Sequence, residues 1–320
     1  MNVLDEANKL VAAGQQQAAL GLVLGAAERG DPEAMFAIAN WRIFGIHGQR
    51  DPAEAHRLLD TARALGHVEA AGLKATLIGN GTGCGSGSDP EAAAQMLEAI
   101  RPHSEHANVQ LTLSARMPPE QDALKLPHEQ LSDAPLIRAV RGLFTVDECN
   151  YLIALAQPHL QRSYVFDPLT GRQMPHPIRT SSGMNFGPTL EDRVVHFLNR
   201  RLATATGTAV EAGEPLHMLC YAPGEEYKPH HDAVPGGGNQ RLWTVLVYLN
   251  DGYSGGATRF SLIDVEFRGG VGDALIFRNA DAAGNGDPAT LHAGLPVTGG
   301  VKWLATRWIR ARSYDPFIGQ

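Results

Sequence analysis

Tyr221-Ala222-Pro223-Gly224-Glu225-Glu226-Tyr227-Lys228-Pro229-His230-His231-Asp232 is the densest run of chemistry-bearing residues in the chain. Read as extended backbone, residues two apart point to the same side, so His230 and Asp232 converge on one point while His231 points away. The surroundings support extension. From Leu216 onward the sequence breaks into short β-rich runs punctuated by glycine: Leu216 to Tyr221, Leu242 to Leu249, Ala274 to Phe277 and Val301 to Ile309. Several short strands separated by turn signals predict an antiparallel sandwich or jelly roll. Gly236-Gly237-Gly238 reads as a turn between two strands, because no lysine, serine or following helix accompanies it as a phosphate cradle requires.

An H-x-D pair supplies two ligands of a 2-His-1-carboxylate triad, which holds Fe(II) on one face and leaves positions open for a bidentate co-substrate and dioxygen. The third ligand must come from elsewhere. His292, in Leu291-His292-Ala293-Gly294, is the best candidate because its segment runs into the later strand Val301 to Ile309. Ten residues past it lies Lys302, a cation suited to the far carboxylate of a bound 2-oxo acid. Taken alone, Lys302 would read as a solvated charge on an edge strand, and His231 offers an alternative metal register. By strand alternation Trp308 shares a face with Lys302, as core residue or as site wall, and Arg307 points to the opposite face, structural or exposed.

The ordered series from Arg179 to Trp308 resembles the 2-oxoglutarate/Fe(II)-dependent oxygenases of the prolyl 4-hydroxylase family. The motifs that carry it are Arg179-Thr180-Ser181, Tyr-x-x-Gly-x-x-Tyr-x-x-His-x-Asp at 221 to 232, Gly255-Gly256-Ala257-Thr258-Arg259-Phe260, Gly272-Asp273-Ala274, and His292 with Lys302-Trp303. The resemblance implies a double-stranded β-helix. It implies His230, Asp232 and His292 as iron ligands, Lys302 as the 2-oxoglutarate anchor, and Tyr221 as a further hydrogen-bond donor to it, joined by Thr244. Tyr227, Arg241 and Trp308 fall where the family lines its peptide groove, and the segment 163–178 falls where the family carries a substrate-covering loop. The implied reaction uses Fe(II), 2-oxoglutarate and O2, with ascorbate as reductant, and hydroxylates a prolyl residue of a protein or peptide, giving succinate and CO2. Asp232 as a carboxylate ligand favours hydroxylation over halogenation. Two other readings stay open: the same iron chemistry on another protein residue, a free amino acid or a nucleic acid, and a catalytically silent protein that binds through its repeats.

Residues 1–117 have a different grammar, rich in Ala, Leu and Glu. Ala27-Glu28-Arg29-Gly30-Asp31-Pro32-Glu33-Ala34 is echoed by Ala62-Arg63-Ala64-Leu65-Gly66-His67-Val68-Glu69-Ala70, the glycines 36 positions apart, and Asp51-Pro52 is echoed by Asp89-Pro90, 38 on. Asp-Pro starts helices and Gly closes them, so the period predicts stacked helical hairpins. It resembles the tetratricopeptide-related, Sel-like repeats, which imply a protein-docking platform. The proline-rich stretch Met117 to Pro135 reads as a linker or extended lead-in. Beyond it, Thr145 to Gln157 reads as a helix opened by the capping box Thr145/Glu148, and Glu191 to Ala205 as a second helix by its apolar spacing.

The chain is therefore read as α+β: a helical repeat region over 1–117, then a jelly-roll oxygenase domain over 118–320, core 216–310, with flanking helices. Its 320 residues are 43% hydrophobic and 19% charged, with no apolar run long enough to span a membrane. The net charge of -7 opposes general attraction to phosphate backbones, so nucleic acid is not the expected partner. Lys302 points the same way, since the nucleic-acid demethylases that resemble this family anchor the co-substrate with arginine. Cys84, Cys149 and Cys220 are odd in number and far apart, which with the absence of a secretory leader pattern suggests a cytoplasmic setting. His47, His56, His67, His103, His106 and His128 show no ligand spacing and are expected at the surface.

Overall fold

Three Asp-Pro steps open helices in the computed structural model, which describes residues 2–85, 87–166, 173–236, 238–281 and 283–317. The helices that precede the β-rich region are α1 (Val3–Ala12), α2 (Gln16–Glu28), α3 (Pro32–Phe44), α4 (Pro52–Ala64), α5 (Val68–Asn80), α6 (Pro90–Ile100) and α7 (Glu105–Ser114). Asp31, Asp51 and Asp89 cap α3, α4 and α6, each accepting from the backbone N–H three residues on at 2.9 to 3.0 Å, with proline in the first turn. Each cap contributes about 1 kcal/mol by satisfying an otherwise orphaned donor. The pairs α3/α4 and α5/α6 are the two echoing hairpins, closed by Gly45 and Gly81 in the left-handed conformation.

Two of the histidines expected at the surface are partly buried, His56, which bonds Thr82 O at 2.9 Å, and His67. His67 takes the cap position that aspartate holds elsewhere: its Nδ1 accepts from Ala70 N at 3.1 Å, its Nε2 meets Glu33 of α3 at 3.1 Å, and its ring stacks on Phe36. Its side chain is only 7% exposed because this capping geometry draws the ring between two hairpins.

The chain forms two compact units, Met1–Arg116 with Pro188–His196, and Met117–Gly187 with Phe197–Gln320. In the second, the strands and helices are β1 (His128–Asp133), β2 (Leu136–Val140), α8 (Val146–Ala156), β3 (Gln161–Arg162), β4 (Tyr164–Phe166), β5 (Gln173–Pro175) and β6 (Ser182–Asn185). There follow α9 (Arg193–Thr206), β7 (His217–Tyr221), β8 (Tyr227–His230), β9 (Arg241–Tyr248), β10 (Tyr253–Gly255), β11 (Thr258–Phe260) and β12 (Val265–Phe267). The last are β13 (Ala274–Arg278), β14 (His292–Gly294), β15 (Val297–Gly300) and β16 (Lys302–Arg310).

Among the described residues these strands make a large antiparallel sheet, ordered β1-β2-β13-β9-β16-β7-β6-β3, and a smaller one, β12-β11-β14-β8. They are the two walls of the double-stranded β-helix. Tyr221, Tyr248, Phe260, Leu275, Phe277 and Leu304 fill the core between them. The stretch expected as linker is partly paired: β1 lies along β2, where its backbone groups find partners.

The flanking helices form where the sequence places them. Thr145 and Glu148 complete the capping box of α8, and Glu148, fully buried, also takes both guanidinium nitrogens of Arg201 in α9 at 2.6 and 2.8 Å. Arg307, on the face of β16 away from Lys302, is buried and donates to the carbonyls of Asn199, Val210 and Glu214. It is structural. Of the segment 163–178 expected as a cover, β4 and β5 form a hairpin, while residues 167–172 lie outside the described residues, as does Gly237 of the expected glycine turn.

Candidate metal centre and its cavity

His230 ends β8 and His292 opens β14, and the two are directly paired across the small sheet. That register, rather than any sequence spacing, brings their rings to a centroid distance of 4.3 Å. Asp232 lies just past β8 and is buried, whereas His231 is exposed, as alternation requires. Ligand atoms of His230, Asp232 and His292 lie within 4.8 Å of one another, and among the described residues this is the one such cluster of three or more.

The protonation pattern suits a metal. His230 Nδ1 is 2.8 Å from Lys228 O and His292 Nδ1 is 2.9 Å from Thr290 O. A carbonyl only accepts, so each Nδ1 donates to it and each Nε2 is left facing the cluster. Burial, then the neighbouring His292, pushes the His230 pKa down to about 4, which leaves that ring neutral at pH 7. Burial alone would raise the Asp232 carboxyl. The two imidazoles and a hydrogen bond from Thr244 outweigh it and hold Asp232 below the usual value. Two imidazoles and one carboxylate match the donor set of a facial Fe(II) triad.

The cavity beside this cluster is lined by alternate residues of β16, Lys302, Leu304, Thr306 and Trp308, as strand periodicity dictates, and by Leu219 and Tyr221 of β7. Lys302 pairs with Tyr221 across the sheet. Its ammonium donates to Gly256 O at 2.6 Å and lies 5.5 and 5.2 Å from the ring centroids of Tyr221 and Tyr248. Gly256 has φ +65, and a Cβ there would come within 3.2 Å of Lys302 Cδ, so glycine admits both the turn and the lysine stem. Burial, with Arg268 adding repulsion, pushes the Lys302 pKa down to about 7. With no carboxylate beside it, this cation sits in a cavity that disfavours its charge. Tyr221 is fully buried, its hydroxyl bonded to Ser181, and burial raises its pKa.

At the other end, Tyr227 stacks on His230 at 3.5 Å between ring centroids, with the Arg179 guanidinium 5.6 Å from the Tyr227 ring. Trp308 stacks on His217, and Arg241, held in a two-point ion pair by Glu214, lies 4.1 Å from the Trp308 ring. Tyr227 and Trp308 line the cavity, while Arg241 lies against the Trp308 ring and is near enough to act on the charge of Asp232.

Thr244 does not take the place expected of it. Its hydroxyl donates to Asp232 Oδ2 at 2.7 Å and it is not among the residues lining the cavity beside Lys302. In the register of β9 its side chain reaches the metal end instead. Thr258 of β11 lines the cavity and was not anticipated, nor was His217, whose pKa burial and two nearby arginines push down to about 3. The alternation 217, 219, 221 was the available signal for His217. For Thr258 the motif Gly255 to Phe260 marked the stretch but gave the residue no role, and β11, three residues long, is too short for alternation to assign one.

Residues 216–310 match the family model of the 2OG-Fe(II) oxygenase superfamily. Probable prolyl 4-hydroxylase 10 of Arabidopsis thaliana is 34% identical over 210 residues, 58% of this chain and 72% of its own. A viral collagen prolyl hydroxylase from Paramecium Bursaria Chlorella virus-1, solved as its 2OG complex, is similar over 55% of this chain and 96% of its own, at 27% identity and a TM-score of 0.45. A Sel1 repeat protein from Oxalobacter formigenes is similar over 34% of this chain and 44% of its own, at 23% identity and a TM-score of 0.30. By the extent and level of its likeness to the Arabidopsis enzymes, with the iron-type donor set and buried lysine already described, this chain belongs to the prolyl 4-hydroxylase family of 2-oxoglutarate/Fe(II)-dependent oxygenases.

Proposed function

We propose that the protein hydroxylates prolyl residues in a protein or peptide, consuming 2-oxoglutarate and O2 and releasing succinate and CO2. The observation that supports this most is the meeting, in one cavity, of two imidazoles whose Nδ1 atoms are bonded to carbonyls, a buried carboxylate and a buried lysine. His230, Asp232 and His292 would hold Fe(II), which when bound supplies the activation of O2. Lys302 binds the far carboxylate of 2-oxoglutarate, regaining the ion pair its burial lacks, and Tyr221 flanks it. Tyr227 and Trp308 offer aromatic walls to an apolar ring such as proline's, with Arg241 bracing Trp308. The helical hairpins serve as a docking platform for the protein that carries the target residue, a use to which stacked repeats are suited.

The test is succinate formation by purified protein with Fe(II), ascorbate and 2-oxoglutarate, with and without proline-rich peptides, beside an Asp232→Ala control. Turnover stimulated by a prolyl peptide and lost in the control supports the proposal. Turnover indifferent to peptides removes the prolyl substrate and leaves the iron chemistry.

A further inference from the structure

Behind Asp232 runs a chain of hydrogen bonds whose polarity is set by chemistry. The Asn279 side-chain nitrogen donates to Thr244 Oγ1 at 2.8 Å, and Thr244 Oγ1 donates to Asp232 Oδ2 at 2.7 Å. An amide nitrogen cannot accept, so Asn279 donates to Thr244 Oγ1, which leaves the Thr244 hydroxyl proton available for the carboxylate. Asn279 and Thr244 are fully buried, and the Asn279 backbone is pinned by bonds to Leu242 O and from Asp287 N, both at 2.8 Å. Thr244 faces Phe277 across β9 and β13, so the relay rests on the large sheet, whereas His230 and His292 ride on the small one.

The carboxylate is not restrained by its neighbours in the cluster. His230 Nε2 and His292 Nε2 lie 3.8 and 3.7 Å from its nearest oxygens, beyond hydrogen-bond reach. Thr244 is the protein group that the carboxylate meets at hydrogen-bond distance among the described residues.

We propose that Asn279 and Thr244 are positioning residues for the metal: the relay sets the rotation of the Asp232 carboxylate so that it meets the two imidazoles before any metal arrives. This rests on the reading of His230, Asp232 and His292 as ligands. A buried asparagine, costly to desolvate, is thereby given a function that packing alone does not supply.

The test is Mn(II) binding to the metal-free, full-length protein, followed by the electron paramagnetic resonance signal of free Mn(II), with thermal melting of each metal-free variant alongside. Thr244→Val keeps the shape and removes the donor, and it should weaken Mn(II) binding by about 10- to 100-fold. Thr244→Ser keeps the donor and loses a methyl group, so it should bind within about threefold of wild type. Affinity kept by serine and lost in the isosteric valine is a pattern that a merely structural threonine would not produce. Asn279→Ala, expected to weaken binding by about threefold or more, tests the outer link independently should the valine variant fail to fold. Wild-type affinity in Thr244→Val, with binding lost in Asp232→Ala, overturns the relay and leaves the ligands standing. Equal binding by wild type and Asp232→Ala overturns the ligand reading and the relay with it.

Discussion

The helix caps of the helical unit and the site of the jelly roll use polar side chains over different distances. Asp31, Asp51 and Asp89 each act on a backbone group three residues away, and the capping His67 also reaches Glu33 in the neighbouring hairpin. In the jelly roll the deciding bonds join Glu148 to Arg201, Lys302 to Gly256 and Thr244 to Asp232, and the metal cluster is closed by the pairing of His230 with His292. Local devices fail locally and cheaply. A bond between distant segments carries a site or a fold, and its loss leaves a buried group stranded.

The sharpest way to break that contrast is to remove a ligand. His292→Ala should lower turnover by about a thousandfold or more, because a two-ligand site loses the metal and with it the Lewis acid. Full turnover in that variant would refute the site. Next comes Glu148→Ala, which strands Arg201 in the interior; chemical denaturation should show a loss of about 3 to 5 kcal/mol in the jelly-roll transition. Lys302→Met should raise the dissociation constant for 2-oxoglutarate by about 10- to 100-fold, the worth of one charge-assisted contact, with Mn(II) affinity in its absence unchanged. The smallest effect belongs to Asp89→Ala, about 1 kcal/mol in the helical unit, with 2-oxoglutarate binding unaltered in a titration.

Lys302 also predicts a pH dependence. Its pKa in the folded protein is depressed to about 7 from 10.5. Below about 7 the free protein already carries the charge, and 2-oxoglutarate affinity should be flat. Above it the lysine must take up a proton as the carboxylate binds, so affinity should fall with rising pH, by up to about tenfold per unit, until the bound-state pKa is passed. Calorimetry at pH 8 in buffers of different ionisation enthalpy should show proton uptake on binding; no uptake would overturn the depressed Lys302 pKa.

Much of the molecule was legible because the signals were local or periodic. The capping box at Thr145 and Glu148, the Asp-Pro starts and the repeat glycines each specify a few backbone hydrogen bonds within a few residues, and helices form where they fall. Alternation likewise separated His230 and Asp232 from His231, and it placed Lys302 and Trp308 on one face of β16 with Arg307 on the other. By itself, then, the sequence determined which elements form, which residues share a face, and, through the order of its motifs, which family the chain belongs to.

What only the tertiary structure decided is which faces meet. The register of β14 on β8 set His292 beside His230, and the position of β9 turned Thr244 toward Asp232 instead of the co-substrate end. Asn279, one residue past β13, gained its role from the neighbouring strand alone. Pairing between strands distant in sequence is chosen by the whole packed core and not by the residues that end up touching. For that reason Asn279 carried no local mark, Thr258 sat in a quoted motif without a role, and the partly buried His67 had the look of a surface residue.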